Sequence, residues 1–156
     1  MWFNFLILFL DLSSSDPTIL RALSIKTLYA DKIRERSKLW ELRTYSVNVP
    51  PGGWIALYES RPTQAIQTII QIGRIFKLHP DDAWQQYEDQ LGIEFENFFC
   101  YFRKRKFAYG MEIQDVRSFD PVSLATLRRE SDFVIPQMCM PLKSIHKRIL
   151  AEWMKP

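Results

Sequence analysis

Cysteine and histidine are scarce in this chain, with only Cys100, Cys139, His79 and His146. No zinc-site spacing can be written from them, so no metal and no cofactor is expected. The two cysteines lie far apart in apolar surroundings. That predicts buried thiols in a reducing compartment, the cytoplasm. Long apolar runs are also missing. The longest, MWFNFLILFL at residues 1–10, falls short of the about 20 residues that span a bilayer. It has no basic region and no small-residue cleavage site, so it is a poor signal peptide. No cation precedes Arg21 to attract anionic lipid, and a membrane role is not expected. Repeats, low-complexity tracts and linkers are absent too, which argues for one domain.

What is present reads as globular. Hydrophobic residues make up 47% and aromatics 14% of the 156 residues, enough for a real core. The net charge of +3 is a mild basic bias, compatible with nucleic acid as a partner. The polar stretch Ser13–Pro17 breaks the pattern. Residues 1–16 therefore read as an apolar N-terminal extension or packed segment, and residues 17–156 as a single domain.

Along that domain strands and helices alternate irregularly. Leu20–Ile25 reads as a strand, and Thr27 as the cap of a helix reaching about Arg36. Trp54–Ser60 is apolar enough for a strand covered on both faces. Ile66–Leu78 reads as a long strand bent at Gly73. His79-Pro80-Asp81-Asp82 opens a helix that Gly92 stops. Phe95, Phe98, Phe99 and Phe102 make a helical stripe, read as core, with base stacking as the alternative. Arg103-Lys104-Arg105-Lys106 is the only basic run, either a phosphate contact or a charged helix end. Phe107–Gln114 alternates as a strand, and the small Ala108 and Gly110 leave room for a helix or ligand. Asp120-Pro121 reads as the start of a helix through about Arg129. A last helix follows Pro141, with His146 a surface or hydrogen-bonded residue. The turns are too short for regular βαβ crossovers. The expected class is α+β, a mixed or antiparallel sheet closed into a small barrel flanked by helices.

The candidate site is Lys38-Leu39-Trp40-Glu41-Leu42-Arg43. On a strand Glu41 and Arg43 share one face, and Trp40 and Leu42 share the other, buried one. Lys38 has the wrong parity, so it joins the pair only from the preceding turn or through a bulge. One acid and two bases beside an aromatic suit a planar polar ligand such as a nucleobase. The plainer reading is a solvated face with an ion pair of small energetic weight.

Taken in order, these segments resemble the ASCH family of the PUA-like superfamily. The resemblance is carried by Leu23-Ser24-Ile25-Lys26, Tyr29-Ala30-Asp31-Lys32-Ile33 and Lys38-x-x-Glu41-x-Arg43. It continues through Pro51-Gly52, Ala56–Ser60, Pro62, Trp84, Tyr101-Phe102, Ala108-Tyr109 and Pro136-Gln137. The family's signature glycine is replaced by Arg36, so this corner is expected to be built without its φ > 0 turn. The resemblance implies a PUA-like barrel with a cleft that binds RNA or a modified nucleotide. Lys38, Glu41 and Arg43 would line the cleft, with Lys26 a fourth contributor, in a non-catalytic role. Some ASCH-like proteins are hydrolases, either ribonucleases or amidohydrolases of N4-acyl cytosine nucleosides that use a lysine, a threonine and a glutamate. Lys38 matches that lysine, but Glu41 stands at the threonine's place. A hydrolase is therefore the alternative, and a protein-interaction module a third reading.

Overall fold

The computed structural model describes residues 18–155, and the apolar N-terminal segment lies outside them. Six strands and five helices follow in the order β1 (Ile19–Ile25), α1 (Thr27–Arg34), β2 (Trp40–Arg43), β3 (Trp54–Glu59), β4 (Ala65–Leu78), α2 (Pro80–Leu91), α3 (Phe95–Phe102), β5 (Ala108–Ser123), α4 (Leu124–Glu130), β6 (Met140–Pro141) and α5 (Ser144–Trp153). The strands form one mixed sheet in the order β2-β5-β4-β3-β1-β6. β1 runs parallel to β3, and the other pairs are antiparallel. Both faces of the central strands are covered. Ala56 and Tyr58 of β3 pack toward α4 and α5, while Ile55 and Leu57 pack toward Ala30 and Ile33 of α1. A third cluster joins Trp40 and Leu42 of β2 to Ala83 and Leu91 of α2 and to Phe98 and Phe102 of α3.

The expected barrel is not closed. β2 and β6 are the two edges of the sheet and do not pair with each other. They are four and two residues long, too short to build a closing ladder. Side chains bridge the gap instead. Arg43 Nη2 of β2 donates to the Ser24 carbonyl of β1 at 2.8 Å. Beyond β2, the Tyr45 hydroxyl accepts from the Cys139 N–H, next to β6, at 3.1 Å. The sheet thus curls until its ends face each other across a gap, and the candidate site lies between β2 and the C-terminal end of β1.

Several local expectations change. Lys26, not Thr27, is the N-cap of α1, and the Thr27 hydroxyl is hydrogen-bonded to that of Thr63 instead. Asp120-Pro121 does not start a helix. β5 continues through it to Ser123, whose hydroxyl accepts from the Thr126 N–H and caps α4. The register shifts between Ile66 and Thr68 on β4, opposite Val122 and Ser118. Pro121 falls in that irregular stretch, where no ladder donor is required. Cys100 is exposed rather than buried. Cys139 is partly buried, and desolvation pushes its thiol up to about 11. Ala108 packs among Ala83, Leu91, Phe98 and Phe102, so helices α2 and α3 fill the room expected there, whereas the space left by Gly110 holds the Phe76 ring of the neighbouring strand. A Cβ there would lie 2.2 Å from that ring.

One buried polar cluster pins α1 to the sheet. Glu59 on β3 is fully buried. Arg34 donates to it and to the Thr68 hydroxyl at 2.8 Å, and pairs with Asp31. Gln67 also donates to Glu59, at 3.0 Å. Removing the cation strands a buried carboxylate. Arg34→Met is therefore expected to lower stability by about 2–3 kcal/mol in urea denaturation, less than for a pair with both members buried. A change under about 1 kcal/mol would mean the cluster is energetically a surface pair.

Candidate nucleotide-binding cleft

The helix-to-strand corner at residues 35–39 sets the site. The N–H of Ser37 bonds to the Lys32 carbonyl at 2.9 Å, and that of Arg36 to the Ile33 carbonyl at 3.1 Å. This is the paired helix-end arrangement of a Schellman motif, which needs a left-handed residue between them. Arg36 supplies it with φ of 61°. The corner therefore keeps the φ > 0 turn despite lacking the glycine, contrary to expectation. The conformation costs a non-glycine residue about 1–2 kcal/mol. Arg36 is exposed, so Arg36→Gly is expected to raise stability by about 1 kcal/mol by thermal denaturation. Lower stability would show that the arginine side chain has an undetected stabilising partner.

Past the corner, the C-terminus of α2 docks onto the chain. Leu39 N–H donates to the Gln90 carbonyl at 2.8 Å, and the Trp40 indole to the Gln90 side chain at 3.2 Å. Lys38 Nζ donates to the Leu91 carbonyl at 2.8 Å, and Lys32 Nζ to the Gly92 carbonyl at 3.0 Å. Two ammonium groups thus meet the carbonyl end of a helix, where free acceptors and the dipole favour cations. Gly92 is left-handed at φ of 60°, and a Cβ on it would lie 2.6 Å from Lys38 Cβ. The glycine is what lets the helix end press against Lys38.

Lys38 therefore enters the site from the turn ahead of β2, as its parity requires. Its Nζ lies 3.6 Å from Glu41 Oε2, and Glu41 Oε1 accepts from Arg43 Nη2 at 2.8 Å. The side chains of Lys38, Glu41 and Arg43 are only 4%, 6% and 15% exposed. The solvated-face reading of β2 is thereby excluded. Glu41 is buried although it sits opposite the buried face of Trp40 and Leu42, because the cleft walls cover it. Burial lowers the Lys38 ammonium below its ordinary range, and the nearby Glu41 carboxylate opposes that shift. Arg43 keeps its Nε buried with no partner among the described residues.

These groups line a cleft of about 340 Å³ between β2 and the C-terminal end of β1. Lys26 lies on its wall but is exposed, so the structure puts it at the rim and the other three at the base. Tyr29 of α1 and Tyr101 of α3 add aromatic walls, and Asn97 and Ser60 add neutral polar groups. Lys38 Nζ sits 5.5 Å from the centre of the Tyr29 ring. Burial, with Glu41 and Glu94 nearby, raises the Tyr29 hydroxyl, so it is a donor at neutral pH. Sequence reasoning named Tyr29, Ser60 and Tyr101 only as parts of the resemblance, and assigned none of them, nor Asn97, to the site. Tyr29 reads as part of the inward stripe of α1. Among the described residues no cluster of three or more side chains is fit to hold a metal ion.

Comparison with solved structures places this geometry. ASCH from Zymomonas mobilis superposes with a TM-score of 0.81 at 18% identity, over 86% of this chain and 95% of that one. A serine-to-alanine mutant of that protein matches with a TM-score of 0.81 at 18% identity, over 86% of this chain and 96% of the mutant. A tyrosine-to-phenylalanine mutant matches with 0.80 at 18% identity, over 86% and 98%. At such identity the likeness is one of fold, and at that level the resemblance to ASCH proteins is borne out. No curated protein matches the chain. The family described as Domain of unknown function (DUF365) matches residues 24–129, more than half of the chain. The chain belongs to that family, and Lys26, Lys38, Glu41 and Arg43 all fall within the matched stretch.

Proposed function

We propose that this DUF365 protein binds RNA or a modified nucleotide without catalysis, and that the base enters the cleft between β2 and the C-terminal end of β1. The observation that carries this is the buried Lys38–Glu41–Arg43 cluster at the base of a cleft walled by Tyr29 and Tyr101. A cleft of about 340 Å³ suits a small planar molecule. Arg43 and Lys38 supply fixed donors, and Glu41 an acceptor for an exocyclic amine. Lys26 at the rim suits a phosphate. A thermal-shift screen of modified nucleosides and short RNAs tests the reading, since a ligand that binds only the fold raises its melting temperature. Expected are one or more hits whose shift vanishes in Arg43→Lys. That variant keeps the charge but loses the planar fork. No hit at low salt overturns the proposal.

One observation favours hydrolysis as the second reading. Burial moves Lys38 toward the range where an amine can act as a base, with Glu41 at 3.6 Å as a proton partner. Turnover of RNA or of an N4-acyl cytidine, lost in Lys38→Ala, would establish it. Binding without turnover leaves the first reading. No helix among the described residues is long and apolar enough to cross a membrane. A cytoplasmic setting remains part of the proposal, resting on the free thiols.

A further inference from the structure

The phenylalanine stripe of α3 does not all go into the core. Phe98 and Phe102 are buried, but Phe95 is 51% and Phe99 55% exposed. The two exposed rings stack with their centres 6.0 Å apart and their planes inclined by 28°, and Trp84 of α2 meets Phe95 edge-on at 5.1 Å. Together with Arg103 and Arg105 they line a second cavity of about 320 Å³. Asp81, the only acid on its wall, sits 3.6 Å from His79. Arg103, Lys104, Arg105 and Lys106 are all exposed, and none has an ion-pair partner among the described residues. Aromatic faces next to uncompensated cations are complementary to a single-stranded nucleic acid, whose bases stack while its phosphates pair.

The two cavities share α3 as a wall. At about 100° per residue, Asn97 and Tyr101 lie on one side of the buried Phe98–Phe102 face, and Phe95 and Phe99 on the other. The first pair lines the cleft and the second lines the outer cavity. We propose that the outer cavity is a second subsite, which stacks a base of single-stranded RNA on Phe95 and Phe99 and holds its phosphates with Arg103 and Arg105, while another nucleotide of the same strand fills the cleft. The continuous strand rests on the cleft reading; the stacking subsite does not. A helix about 10 Å across separates the two sites, so a few nucleotides connect them.

Fluorescence anisotropy with a labelled oligocytidylate of about twelve nucleotides, whose bases carry an exocyclic amine, tests the subsite. Phe95→Ala/Phe99→Ala removes two half-exposed rings outside the buried Phe98–Phe102 face, and a retained melting temperature confirms the fold. This variant is expected to weaken the oligomer about five- to hundredfold. Arg103→Gln/Arg105→Gln is expected to flatten the log–log salt slope by about 0.7 for each lost phosphate contact. Wild-type affinity in the double phenylalanine variant overturns the proposal, as does a wild type that binds no oligomer at low salt. Self-association that disappears in the phenylalanine variant, without oligomer binding, would instead assign the face to a second copy of the chain. If the phenylalanine variant weakens the oligomer while Arg43→Lys does not, the stacking subsite stands and the cleft reading falls.

Discussion

Glu41→Leu is expected to lower stability by about 3–5 kcal/mol, because it leaves two buried cations without their shared anion. Lys38 and Arg43 both face the Glu41 carboxylate, at 3.6 Å and 2.8 Å. Without it, the Leu91 carbonyl and the Tyr29 ring are left to compensate the Lys38 ammonium among the described residues, and the Ser24 carbonyl the Arg43 guanidinium. Burial already lowers Lys38, and Glu41 is the main influence holding it up, so the variant sheds the Lys38 proton more readily. In a domain of this size the loss corresponds to a fall in melting temperature of about 10 °C. Glu41→Gln keeps the acceptor oxygen but not the charge and should fall between wild type and leucine. A loss under about 1 kcal/mol in Glu41→Leu would mean that the cluster behaves as an exposed ion pair.

Gly92→Ala is expected to cost about 2–5 kcal/mol and to damage the site although Gly92 is not part of it. Two effects add. The left-handed φ of 60° costs an alanine about 1–2 kcal/mol. The new Cβ would also lie 2.6 Å from Lys38 Cβ and 3.0 Å from its Cα, an overpacking that costs about 1–3 kcal/mol. The neighbours must move apart, which separates Lys38 Nζ from the Leu91 carbonyl and from Glu41. Gly52→Ala separates the two effects. Gly52 has φ of 85° but nothing within 4 Å of its missing Cβ, so only the backbone cost remains. Denaturant melts of both variants should show Gly92→Ala to be the more harmful. Ligand affinity should fall in that variant alone. Equal losses in both would remove the packing argument.

Much of this was legible in the sequence, through local signals. The parity of Glu41 and Arg43, and the need for Lys38 to arrive from a turn, follow from the period of a strand, and the structure obeys both. The ends of α2 were marked by Pro80 and Gly92, and the register shift of β4 between Ile72 and Ile75 by Gly73. What could not be read depends on contacts between distant segments. Glu41 looked solvated because nothing local says that α1 and α3 wall the face it lies on. The barrel stayed open because its edges are short and Arg43 reaches Ser24 by a side chain, which no pattern of hydrophobicity encodes. Phe95 and Phe99 share the period of Phe98 and Phe102, yet α3 offers the core only one side of that stripe. Pro121 looked like a helix start because the irregular pairing that admits it to β5 is set by the partner strand.

The central claim is that the cleft between β2 and β1 holds a base through Lys38, Glu41 and Arg43. Calorimetric titration of the best nucleoside from the thermal-shift screen into wild type and Arg43→Lys tests it most directly. The account predicts saturable one-to-one binding to wild type and at least about tenfold weaker binding to the variant, as expected when the arginine fork is lost. Equal affinity in the two proteins, or no heat of binding to wild type, would contradict it.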